Sequence, residues 1–163
     1  MLLDWLISYG VRQVLAVGSA GALVELPENY FLLPTRAIRD EGTSFHYLAP
    51  GNFVDLQSPF LAQIKKLLSE INFKVREVTT WTTDGFFRET TNKVQQFKQL
   101  GAACVEMECA ALAACAQFRQ VDFAQLLFTA DSLSKPEEYE ARGWGKDAHG
   151  RALTLAGQVL AKL

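Results

Sequence analysis

Short apolar runs that stop abruptly at glycine or at a polar cluster recur along this chain, and between them lie segments whose apolar residues repeat at helical spacing. Val14–Val17 ends at Gly18. Tyr30–Ile38 runs into Arg39-Asp40-Glu41-Gly42-Thr43-Ser44-Phe45-His46-Tyr47, and Lys74–Thr82, rich in Val, Thr and Trp, runs into Asp84-Gly85-Phe86-Phe87-Arg88-Glu89-Thr90. Ala103–Val105 and Phe123–Thr129 complete the series, the last ending at Asp131. An apolar run without polar alternation is expected of a strand buried on both faces. The intervening segments predict helices. Leu2–Tyr9 ends at Gly10, and Ser58-Pro59 starts a helix to about Glu70, the hydroxyl capping free N–H groups and the proline suiting the first position. Its stripe is Phe60, Leu61, Ile64, Leu67 and Leu68. Asn92–Leu100 is a shorter helix, and Glu108–Phe118 is so rich in alanine that another layer must pack closely on it. Ala148–Lys162 closes the chain, with Leu153 and Leu160 expected on its buried face.

Strands alternating with helices specify an α/β fold around an open, largely parallel sheet. Ligands of such sheets sit beyond the carboxyl ends of the strands, so the polar clusters are expected to converge on one crevice. At 163 residues, with 49% hydrophobic and 21% charged, the chain reads as one domain, residues 1–163. A net charge of -2, with Lys65-Lys66 the only adjacent basic pair, leaves nothing to neutralise a nucleic-acid backbone. Asp4 and Gly10 interrupt the apolar start, which has no basic flank, so a secretory signal is not expected. No uninterrupted apolar stretch approaches the ~18 residues of a membrane span. Three cysteines, odd in number and unlike a zinc site in spacing, predict reduced thiols in the cytoplasm and no metal.

Several residues carry chemistry. Gly18-Ser19-Ala20-Gly21 reads as a tight turn after a strand, able to offer N–H groups and the Ser19 hydroxyl to an anion or sugar. A purely structural strand-to-helix turn is the competing reading, and neither dinucleotide nor P-loop spacing is present. Glu106 and Glu108 flank Met107 where a strand passes into a helix, a place where acids also simply favour the macrodipole. A Phe86-Phe87 pair at a strand end is more often core than platform, and Asp131 at a strand end is as readily a cap or turn former as a catalyst. His46 reads as a structural histidine and Arg88 as solvated.

Taken together, Val105-Glu106-Met107-Glu108-Cys109-Ala110-Ala111-Leu112 closely resembles the signature of the purine nucleoside phosphorylase and uridine phosphorylase superfamily. Val17-Gly18-Ser19-Ala20-Gly21, Arg39–Tyr47, Thr83-Asp84-Gly85-Phe86-Phe87 and Phe128-Thr129-Ala130-Asp131 resemble further segments of it in the same order. The resemblance runs to about Asp131 and is looser beyond. It implies a three-layer fold with a central, largely parallel or mixed sheet. It also implies that Glu108 holds the ribose hydroxyls, with Met107 packed on the sugar and Glu106 beside them. Phe86 matches the aromatic that stacks on the base, Gly21 lines the base or sugar pocket, and Ser19 contacts phosphate. Asp131 matches the acid of the purine enzymes, and Arg142 stands for the catalytic arginine that pairs with it. The implied reaction is phosphorolysis of a purine nucleoside by inorganic phosphate, without a cofactor, in purine salvage.

The resemblance has gaps. The family's first strand and its phosphate-cradling loop are not among these residues, and Ala16 replaces the arginine that precedes the Gly-Ser-x-Gly segment. The chain thus matches the C-terminal part of the family fold. Loss of first strands leaves an apolar edge, so self-association or pairing with a separate N-terminal piece is expected. Two other functions stay open: hydrolysis by a nucleosidase of the same superfamily, and a silent truncated paralogue that binds nucleosides or a partner subunit.

Overall fold

Glycine and alanine dominate the second half of the first strand, and that composition lets one strand serve two neighbours. The computed structural model describes residues 2–135 and 137–163. Its elements are α1 (Leu2–Ser8), β1 (Gln13–Ala22), β2 (Phe31–Asp40), β3 (Phe53–Asp55), α2 (Pro59–Glu70), β4 (Arg76–Thr83), α3 (Thr91–Gln99), β5 (Ala102–Glu106), α4 (Cys109–Arg119), β6 (Asp122–Ser132) and α5 (Lys146–Leu160). Gly18-Ser19-Ala20-Gly21 is therefore strand and not the turn its glycines suggest. From Gln13 to Ala20, β1 runs parallel to β6. After an irregularity at Ala20/Ala22 its end pairs antiparallel with β5, Gly21 opposite Val105 and Ala22 opposite Cys104. Gly21 sits in a tight place, since a Cβ there would lie 3.1 Å from both Asp131 Oδ1 and Val105 Cγ1.

The six strands follow the order β3-β2-β4-β5-β1-β6, and a further pairing of β2 with β6 closes five of them into a ring. Pairs β2–β4, β4–β5 and β1–β6 are parallel, whereas β1–β5, β2–β3 and β2–β6 are antiparallel. The sheet is thus mixed, as the resemblance implies. It is closed rather than open, because Phe31 and Leu32 pair with Phe128 and Leu127. Ala20, Leu32, Val78, Cys104 and Leu127, one from each strand of the ring, pack together as a separate cluster. The larger core lies where α2, α4 and α5 cover the sheet, and Trp81 stacks on Phe97 of α3 at 4.4 Å.

The helices follow their sequence cues. Ser58 caps α2 by accepting from Leu61 N at 3.1 Å, and the expected apolar stripe of α2 is buried. Ala110, Ala113, Ala114 and Ala116 bring α4 close to its neighbours, and Arg119 of α4 holds Asp4 of α1 at 2.6 Å. The buried face of α5 differs from expectation. Ala148, Ala152, Leu155, Ala156 and Val159 form it, while Leu153 is 69% exposed and Leu160 is 41% exposed. The small alanines allow the closest approach and so set which face turns inward. The short β3 has too few residues to show an alternation, and no pattern announces it.

Among the described residues one edge of β1 remains open: Gln13–Ser19 pairs with β6 alone, and Val14–Gly18 is only half-buried. No helix among the described residues is long and apolar enough to cross a membrane.

Two substitutions check the α5 face. Leu155→Ala is expected to lower unfolding stability by ~2–4 kcal/mol in urea titration, and Leu153→Lys to change it by less than ~0.5 kcal/mol.

Candidate active site

A hollow of about 180 Å³ lies where the ends of β1, β5 and β6 meet the turn that follows β4. Ser19 and Gly21 enter from β1, Glu106 from β5 and Asp131 from β6, and Phe86 enters from the turn. Met107 and Glu108, in the link from β5 to α4, complete this side of it. Residues far apart in sequence are neighbours here because β4, β5, β1 and β6 lie side by side in the sheet.

Glu106 is the best-tethered group. Its Oε1 accepts from Thr82 Oγ1 at 2.6 Å and Thr80 Oγ1 at 3.2 Å, and its Oε2 accepts from the N–H of Glu108 at 2.9 Å and of Cys109 at 2.6 Å. The Thr82 hydroxyl also accepts from Ala110 N at 3.0 Å. The first turn of α4 leaves such N–H groups without helical partners, and a carboxylate meets both that need and the positive end of the helix. Buried and fully engaged, Glu106 fixes the β5–α4 link, whereas Glu108 and Met107 stand exposed at its crest. Phe86 is 41% exposed at the rim, and its edge meets the Phe87 ring at 5.2 Å.

Not every predicted residue arrives. Arg142 does not pair with Asp131: its Nε donates to Glu140 Oε2 at 3.2 Å and its Nη1 to Leu26 O at 3.0 Å, beside a separate depression. The backbone explains this, since Arg142 is left-handed at φ 52° and its side chain leaves toward residue 26. The Arg39–Tyr47 cluster also stays out of the hollow. Arg39 donates to Ser44 Oγ and to the carbonyls of Leu48 and Ala49, which curls the segment against α4. His46 and Arg88 are exposed and do not line the hollow. Two lining residues escaped sequence reasoning, Glu89 and Trp144. Glu89 stands three residues beyond Phe86 in the polar cluster after β4, whereas Trp144 follows a loosely patterned stretch that held no signal.

The model of the phosphorylase superfamily matches residues 1–163. The chain belongs to this family. It is 29% identical over 133 residues to a DeoD-type purine nucleoside phosphorylase of Alkaliphilus metalliredigens, covering 77% of this chain and 54% of that protein. A DeoD-type purine nucleoside phosphorylase of Streptococcus thermophilus is 26% identical over 142 residues, covering 83% and 58%. The chain spans little more than half the length of these curated relatives. Among solved structures, the purine nucleoside phosphorylase of Toxoplasma gondii in complex with immucillin-H superposes with a TM-score of 0.85 at 15% identity, over 99% of this chain and 67% of that one. The 5'-methylthioadenosine/S-adenosyl homocysteine nucleosidase of Helicobacter pylori superposes at 0.76 and 22%, over 98% and 72%. At such identity these structures share the fold.

In this member of the phosphorylase superfamily the hollow is acidic: Glu89, Glu106, Glu108 and Asp131 line it, and no lysine or arginine does among the described residues. Burial raises the Asp131 carboxyl above its ordinary range, with the Tyr139 phenol and the Arg142 charge pulling against it. Burial, and then the nearby Asp131 charge, push Glu89 up to about 7. Burial likewise pushes Glu106 up to about 7, opposed by its hydrogen bonds from Thr82 and from the Glu108 and Cys109 N–H groups.

Because the folded Glu106 holds its proton more tightly than an ordinary carboxyl at 4.5, its contribution is full below pH 4.5 and is lost as pH rises through about 7. Denaturant titrations across that window are expected to show wild type losing stability relative to Glu106→Gln as pH rises. Thr82→Val removes the hydroxyl that joins β4, Glu106 and Ala110, and is expected to cost ~1–3 kcal/mol in the same measurement.

Proposed function

We propose that this hollow binds a purine nucleoside and promotes cleavage of its N-glycosidic bond. The observation that carries the reading is the meeting of Phe86, Glu108 and Asp131 around one space of about 180 Å³. Breaking the bond between a sugar and a base leaves positive charge on the sugar and negative charge on the base. Carboxylates face the first need, and a proton donor the second. Glu108, exposed and free at the crest of the β5–α4 link, accepts hydrogen bonds from the ribose hydroxyls and favours the cationic sugar. Glu106 acts behind it by holding the link. Phe86 offers an exposed ring to the base. Asp131, its carboxyl raised above the ordinary range by burial, lines the hollow and is the group assigned to deliver a proton to purine N7. As that proton transfers, the electron pair of the C1'–N9 bond moves to the base, and the acceptor oxygen bonds to C1'.

With inorganic phosphate as acceptor the products are the free base and ribose 1-phosphate. The names of the curated relatives, both purine nucleoside phosphorylases, support this reading, as does the exposed Ser19 hydroxyl at the rim. A second reading takes water as acceptor and yields free ribose. It is favoured by the acidic lining and by Ala16, since carboxylates without a facing cation repel a phosphate dianion.

Turnover of inosine and adenosine, assayed with and without phosphate, tests both. Phosphate-dependent release of base supports phosphorolysis, and release without phosphate supports hydrolysis. Asp131→Asn is expected to lower kcat by ~10²–10⁴-fold, the usual worth of a positioned acid, and Glu108→Gln to lower kcat/KM sharply. Full activity in both variants rejects the assignment. Nucleoside binding by calorimetry without any cleavage identifies a silent binder instead.

A further inference from the structure

The segment 142–145 folds in an unusual way. Arg142 at φ 52°, Trp144 at φ 59° and Gly145 at φ 66° are all left-handed, a backbone that non-glycine residues seldom adopt. Strain of this kind persists where surrounding contacts enforce it, and it clusters at ligand sites. The contacts here come from the segment between β1 and β2. Glu28 Oε1 accepts from Gly145 N at 2.8 Å, Asn29 Oδ1 accepts from Ala148 N at 3.0 Å, and Leu26 O accepts from Arg142. Glycines on either side make the fit possible, since a Cβ at Gly143 would lie 2.9 Å from Glu28 Oε1 and one at Gly145 2.8 Å from Phe128. The product of this arrangement is an indole at the rim of the acidic hollow, 48% exposed.

Phe86 follows β4, Trp144 lies in the segment between β6 and α5, and both rings line the hollow. A large apolar ring left half in water at a hollow that a second exposed ring also lines is suited to stacking on a flat partner. We propose that Trp144 is a second base-stacking residue, forming with Phe86 a two-sided aromatic slot for a nucleobase, and that Glu28 is the positioning residue that holds the Trp144 loop in place. This rests on the reading of the hollow as a nucleoside site, and it is independent of whether phosphate or water is the acceptor.

Titration with adenosine and inosine, followed by tryptophan fluorescence and by calorimetry, tests it. Wild-type emission is expected to change on binding; Trp5 and Trp81 lie outside the hollow and persist as background. Trp144→Phe should abolish the change while holding Kd within ~3-fold, because a phenyl ring still stacks, and Trp144→Ala should raise Kd by ~5–150-fold. Glu28→Ala should raise Kd comparably and shift Trp144 emission toward that of a solvated indole, and Glu28→Gln, which keeps one oxygen acceptor, should restore both. Calorimetric binding with unmoved wild-type emission, or a Trp144→Ala Kd within twofold of wild type while Glu108→Gln weakens binding, overturns the slot and leaves the nucleoside reading standing. Absence of nucleoside binding by wild type overturns both.

Discussion

A single buried carboxylate organises this molecule around its hollow. Glu106 joins β4 through Thr80 and Thr82 to the opening turn of α4 through the N–H groups of Glu108 and Cys109. All its acceptor capacity is used by the protein, which is how a carboxyl survives almost completely out of water. The adjacent Glu108, two residues on, is released from structural duty and stands free. Two acids of one short segment therefore differ in kind: one sets the backbone, and the other lines the hollow.

Much of this was legible in the chain itself. Strand ends rich in polar residues announced Ser19, Phe86, Glu106, Glu108 and Asp131, and the alternation of strand and helix patterns placed them at one end of a sheet. What resisted reading was three-dimensional closure. Glycine normally punctuates, so Gly18-Ser19-Ala20-Gly21 looked like a turn. In fact its small side chains suit a strand that passes between β6 and β5. Nothing local in Phe31-Leu32 tells that they will pair with Phe128 and Leu127 and convert an open sheet into a ring.

Local chemistry misled in two further places. Arg142 has the right character to sit opposite Asp131, yet a left-handed backbone sends it to Glu140 and Leu26. The apolar Leu153 seemed destined for the core, but alanines on the neighbouring face of α5 pack more closely against the sheet. Trp144 and Glu89 went unnoticed for a complementary reason: their roles come from a loop path and from proximity, neither of which leaves a periodic trace.

The closed ring separates what is rigid from what can vary. Five strands paired to one another all the way round cannot slide singly, since moving one by a residue would break registers on both its sides. Ser19, Gly21, Glu106 and Asp131 belong to that locked frame, whereas Phe86 and Trp144 hang from connections outside it. Such a division lets new ring shapes be tried at the mouth by changing loops alone, while the acids beneath keep their spacing.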